Sequence, residues 1–164
     1  MLRRSIAPAL LLVLAATSVG AARSVHVKSP PWISIESPAN PYDTATRDAA
    51  FVVRTWAHGN PISVTDLSGS AEGLVDGKRQ SIALRFDATP HPDAYAVRRQ
   101  WPAGGAWIVR VTLFRSVTAI VSLDAAGAVS GVRVPTRMNS GIPLPRAVAA
   151  SEIDSTLAAV AARR

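Results

Sequence analysis

Gly69-Ser70-Ala71-Glu72-Gly73-Leu74-Val75-Asp76-Gly77-Lys78-Arg79-Gln80-Ser81-Ile82-Ala83-Leu84-Arg85-Phe86 is the stretch that decides the fold. Asp76-Gly77 suits a two-residue turn with positive φ, so it closes a hairpin between arms at 69–75 and 80–86. In the second arm Ile82, Leu84 and Phe86 share one face, while Ala83 and Arg85 take the other. A one-residue slip would drive Arg85 into the core, which pins the register.

Strand signals continue on both sides of this hairpin. Trp32-Ile33-Ser34-Ile35 alternates apolar and polar before Pro38 and Pro41, and residues 51–56 are rich in β-branched and aromatic types. A strand is expected over 95–99 after Pro90-His91-Pro92-Asp93. Trp101-Pro102-Ala103-Gly104-Gly105 then turns the chain into 106–114. There Trp107, Val109, Val111 and Leu113 alternate with Ile108, Arg110, Thr112 and Phe114. Segments 117–123 and 128–134 form a last pair around 124–127. Turn signals about every ten residues and about 7–8 short strands predict an all-β chain, an immunoglobulin-like antiparallel β-sandwich over 31–136. A parallel sheet would need crossover helices, and the spacing leaves no room for them.

The two ends read differently. Arg3 and Arg4 precede an apolar run from Ile6 to Val19, and the small residues Gly20, Ala21 and Ala22 follow. This is the grammar of a secretory signal peptide at 1–22, cleaved after Ala21 or Ala22. The run is about 14 residues, shorter than the roughly 20 that span a bilayer. Residues 23–30 then form an N-terminal linker. No second stretch is apolar and long enough to cross a membrane, so the expected product is exported, periplasmic or extracellular, with no stable span after cleavage. At the other end, Pro143 and Pro145 suggest a linker over 137–150. Ser151-Glu152-Ile153-Asp154 resembles a capping box opening an amphipathic helix over 151–164. Ile153, Leu157 and Val160 share one face, and Arg163-Arg164 suit the C-terminal end. A helix that docks on the sandwich or frays is expected ahead of a partner-binding helix, because so short a segment is marginal alone.

Composition narrows the classes. The chain has 164 residues, no cysteine and four tryptophans, so disulfides, thiolate metal sites and cysteine nucleophiles are excluded. Burial and hydrogen bonding must hold the fold, with tryptophan supplying much of the buried area. Without Arg3 and Arg4, the 18 basic residues fall to 16 against 11 acidic, about +5. Lys28 and Lys78 are the only lysines; Arg98-Arg99 and Lys78-Arg79 are the local clusters. Arg98 and Arg99 would point to opposite faces of a strand, so they make no stripe of the kind nucleic acid requires.

Pro92-Asp93-Ala94-Tyr95-Ala96-Val97 resembles the loop-then-tyrosine start of a late strand in fibronectin type III-like sandwiches. Trp101-Pro102-Ala103-Gly104-Gly105-Ala106-Trp107-Ile108-Val109 is similar to the proline, glycine, aromatic, alternating-strand segment of YtkA-like domains. With Gly73 and the Asp76-Gly77 hairpin, the resemblance covers residues 30–123 and implies a secreted bacterial immunoglobulin-like sandwich. YtkA-like domains neighbour CopC-like copper-handling proteins, so the resemblance also implies a metal accessory role through His26, His58 and His91. Met138 is the one methionine left after cleavage. No two of these histidines share a helix turn or a strand face, so the residues themselves favour surface histidines over a copper site. A processed N-terminus at Ser24 would place His26 third, a copper-chelating geometry, but cleavage after Arg23 breaks the leader's grammar.

Catalytic patterns are missing: there is no Gly-x-Ser-x-Gly, phosphate-binding glycine loop or His-Glu-x-x-His. Asp43-Thr44-Ala45 reads as a turn acceptor. Glu72 and Asp76 read as solvated hairpin charges rather than an acid/base pair. The sequence therefore predicts a non-catalytic domain, without cofactor, that binds or supports an envelope protein or polymer. Its candidate contacts are Trp32, Trp101, Arg98 and Arg99. The two tryptophans stand at loop edges where an indole either covers the core or stacks on a partner; Trp56 and Trp107 read as core.

Overall fold

The computed structural model describes residues 29–163. The expected leader at 1–22, residues 23–28 with His26, and Arg164 lie outside these. In chain order the elements are β1 (Trp32–Glu36), β2 (Phe51–Ala57), β3 (Asn60–Pro61), β4 (Leu67–Val75), β5 (Lys78–Ala83), β6 (Asp87–Ala88), β7 (Ala94–Val97), β8 (Ala106–Leu113), β9 (Val117–Leu123), β10 (Val129–Arg133), β11 (Thr136–Asn139), β12 (Ile142–Pro145) and α1 (Ala150–Ala161).

All strand pairs are antiparallel. One sheet runs β1-β2-β7-β6 with β3 beside β2, and the other runs β10-β9-β8-β4-β5. The order matches the immunoglobulin constant arrangement, in which A-B-E-D faces C-F-G, here widened by β5 and β10 at the edges. The strand number exceeds the expected 7–8 partly because β3 and β6 are two-residue pieces. Both sheets feed one core: Ile33, Phe51, Val53 and Val97 meet Ala71, Trp107, Val109, Val111, Ala119 and Val121. Asp76 and Gly77 carry φ of 49° and 73°, so the central hairpin closes through the expected tight turn. The alternation in 82–86 also holds, with Ile82, Leu84 and Phe86 packed on the core.

Trp107 organises the centre. It lies on β8 opposite Gly73 of β4, and a Cβ at Gly73 would come within 2.4 Å of its ring. Only glycine lets the indole lie flat on the neighbouring strand. The ring Nε1 donates to the Gly104 carbonyl at 2.8 Å. Gly104 and Gly105, both at positive φ, make that loop possible. Tyr95 on β7 anchors the connection from β3 to β4, which crosses between the sheets: its hydroxyl donates to the Val64 carbonyl and accepts from the Val64 N–H, both at 2.8 Å.

Four expected elements differ, the first being the second hairpin arm, which ends as β5 at Ala83 rather than at 86. The stretch 137–150 is chiefly a hairpin, β11–β12, rather than a linker. Ser140 and Gly141 take positive φ at its turn. Pro143 and Pro145 are tolerated because they pair with Met138 and Thr136 at alternate positions that need no N–H donor, while Arg146 N–H resumes the ladder to the Pro135 carbonyl. The strand expected over 95–99 ends at Val97, so Arg98 and Arg99 belong to the following loop. Finally, α1 is capped at Ala149 rather than Ser151. Alanine offers no side-chain acceptor; instead the Glu152 carboxylate reaches back to the Ala149 N–H at 3.2 Å.

Of the two outcomes expected for the helix, docking or fraying, it docks. Ile153, Leu157 and Val160 cover Ala106, Ile108 and Ile120 on the outer face of the second sheet, forming a second small core. Two ion-pair clusters border it. Arg146 grips Glu152 through two 2.7 Å bonds. Arg79 joins Glu72 on β4 to Asp154 on α1. Glu72, expected as a solvated charge, is in fact 6% exposed and accepts from Ser70 and Ser81 as well. The reason is its parity: it lies on the outer sheet face beside Leu74, where the helix edge covers it.

These carboxyls make the docking pH-dependent. Burial opposes ionisation of Glu72, but hydrogen bonds from Ser70, Ser81 and Arg79 outweigh it and hold the carboxyl below its usual range. The Arg146 guanidinium, then the Ala149 N–H, draw Glu152 from 4.5 to about 2. A carboxyl held low when folded contributes stability that is complete above its unfolded value and is lost as pH falls through its folded value. Thermal stability is therefore expected to fall between pH 4.5 and about 2. Melts followed by circular dichroism across that window check it, and Arg146→Leu should flatten the slope. An identical slope in the variant would contradict this origin.

Candidate binding groove

Alternation along β1 sends Ile33 and Ile35 to the core and leaves Trp32 and Ser34 on the outer face. On β2 the inward set is Phe51, Val53 and Thr55, so Trp56 has the opposite parity and stands on the outer face. Trp32 and Trp56 are direct register partners. Directly opposed residues bring their Cβ atoms to about 4.5–5.5 Å, which sets the two indoles side by side. Trp56 Nε1 donates to Ser34 Oγ at 3.0 Å, fixing that ring. Trp32 is 37% exposed, and its Nε1 has no acceptor among the described residues.

Ser29, Pro30, Gly59 and Pro143 complete a groove of about 480 Å³ around the pair, within the size range of ligand sites. Gly59 belongs to the His58-Gly59 turn, in which both residues take positive φ. The His58 N–H donates to the Ser29 carbonyl at 3.2 Å, holding the segment before β1 against this turn. Pro143 comes from β12, and its register partner Met138 stands on the same hairpin face, 68% exposed. None of the seven lining residues is charged.

The remaining candidates are not gathered here. Trp101 is core: it is 3% exposed and packs with Trp107, so it presents no contact surface. Arg98 is paired with Asp87. Arg99 donates to the carbonyls of Trp101, Pro102 and Ala126, bracing the loop before β8 against the β9–β10 turn. Both follow Val97, which pairs with Phe51, whereas Trp32 pairs with Trp56. Five residues along β2 separate these points by roughly 17 Å. His58 sits in the β2–β3 turn and His91 in the β6–β7 loop. No three His, Asp or Glu gather into a metal-binding group among the described residues. Asp43 is a turn acceptor as expected, bonded to the Ala45 N–H and the Thr46 hydroxyl, both at 2.9 Å; these bonds lower its pKa.

Trp56 and Pro143 are not visible as site residues in the sequence. Parity alone would have placed Trp56 outside, since Phe51 and Val53 define the inner face. Pro143 depends on a hairpin that its own residue type disguises. Comparison with family models, with curated proteins and with solved structures finds no match to this chain.

Proposed function

We propose that this chain is a non-catalytic, exported β-sandwich module that binds another component of the cell envelope through the Trp32–Trp56 groove. One observation carries the reading: two large aromatic side chains lie paired on an outer sheet face, Trp32 about one third exposed, in a groove without charged lining residues. Tryptophan is enriched among residues that dominate binding energy, because it offers a large rigid area and a polar tip. The leader-like N-terminus supports export, and the strand order supports the resemblance to secreted immunoglobulin-like sandwiches at the level of fold.

Trp32→Ala is expected to weaken capture of an envelope component by at least about tenfold, equivalent to 1.4 kcal/mol. Folding stability should change by less than about 1 kcal/mol, the scale of one cross-strand pair. Quantitative capture from envelope extract, alongside urea denaturation of both proteins, checks this. Equal capture by the variant would remove the groove as the binding site.

A further inference from the structure

We infer that the groove takes an uncharged, proline-rich peptide segment in the polyproline II conformation; this rests on the reading of the Trp32–Trp56 face as the binding surface. Charge complementarity is the first argument. Without the leader's two arginines the chain carries about +5, yet no lining residue is charged, so the complementary ligand is itself neutral rather than an anionic polymer. Shape is the second. Two cross-strand tryptophans and two prolines line the groove, and aromatic-lined grooves are a common means of recognising polyproline II helices.

Hydrogen-bond polarity is the third argument. Trp56 Nε1 is used by Ser34, while Trp32 Nε1 has no acceptor among the described residues. That leaves the Trp32 indole N–H able to donate to an acceptor on a bound ligand. A polyproline segment has no backbone N–H and offers carbonyl acceptors alone, which matches. Strand addition at β1 fits less well. Pro30-Pro31 immediately precede this five-residue edge strand and cannot donate to a new ladder.

The test titrates the purified protein with acetylated, amidated decaproline and follows tryptophan fluorescence and heat of binding. An uncharged Gly/Ser decapeptide and a tetrasaccharide of N-acetylglucosamine are run in parallel. Saturable decaproline binding is expected, with little response to the Gly/Ser peptide. Trp32→Ala should weaken binding by at least about tenfold, and Trp32→Phe, which keeps a ring but loses the donor, by a smaller factor. Circular dichroism of each variant verifies folding. Absence of decaproline binding, or binding that Trp32→Ala leaves unchanged, overturns the proposal. If the tetrasaccharide binds in a Trp32-dependent way and decaproline does not, the ligand class is wrong and the groove stands. If no probe binds while envelope capture still depends on Trp32, the proline assignment again falls alone. Loss of that dependence as well removes both.

Discussion

Trp107→Ala is expected to cost about 3–5 kcal/mol of folding stability, the range for removing a buried aromatic. Its side chain is 1% exposed at the junction of β4 and β8 and packs with residues from both sheets. Gly73 opposite has no side chain to move into the space, and β-sheet hydrogen bonds on either side limit collapse of the backbone. The substitution also removes the donor to the Gly104 carbonyl, a partly buried bond that orders the glycine turn before β8. Domains of this size are marginal, at about 5–15 kcal/mol in total, and this one has no disulfide to limit its unfolded state. Urea denaturation gives the measurement, and Trp107→Phe should lose distinctly less. A loss below about 1 kcal/mol for Trp107→Ala would show that another residue fills the junction.

Leu157→Ala should cost about 2–5 kcal/mol in the docking of α1, by loss of buried area and the cavity left behind. Leu157 is 3% exposed at the middle of the three-residue stripe that covers Ile108 and Ile120. A helix of 12 residues is marginal in water by itself, so release and unfolding of α1 are one event. The two clusters Arg146–Glu152 and Arg79–Asp154 are solvent-exposed enough to be screened, and they cannot replace the apolar stripe. Hydrogen exchange separates local from global loss. The α1 amides should exchange far faster in the variant, while β4 and β8 amides keep most of their protection because their core is formed by the facing sheets. Unchanged α1 protection would mean that the stripe is not what holds the helix.

The strands were legible where alternation, turn chemistry and length agreed. Asp76-Gly77 specified a turn that few other dipeptides allow, and the parity of Ile82, Leu84 and Phe86 oriented the arm after it. Segment 117–123 was readable for the same reason, since Val117, Ala119, Val121 and Leu123 share one parity. The β11–β12 hairpin was not legible. Proline ordinarily marks a break, and only the pairing partner shows that Pro143 and Pro145 occupy positions where no donor is required. The burial of Glu72 is hidden for a related reason. Its charge suggested solvent, but Arg79 faces it across the same hairpin, and the helix that covers it comes from the far end of the chain.

From residue types and spacing alone came the antiparallel β architecture, the central hairpin with its register, and the apolar stripe of the C-terminal helix. Each is a local property, set by backbone preference and by which side chains share a face. The tertiary structure alone decided which tryptophans are core and which stand outside, and that Trp32 meets Trp56 while Arg98 and Arg99 lie at the far end of the sheet. It also brought Pro143 to the indole pair from more than 80 residues away along the chain. Those relations depend on how strands pair and sheets face each other. That is settled by the burial of the whole apolar surface at once, and no single segment encodes it.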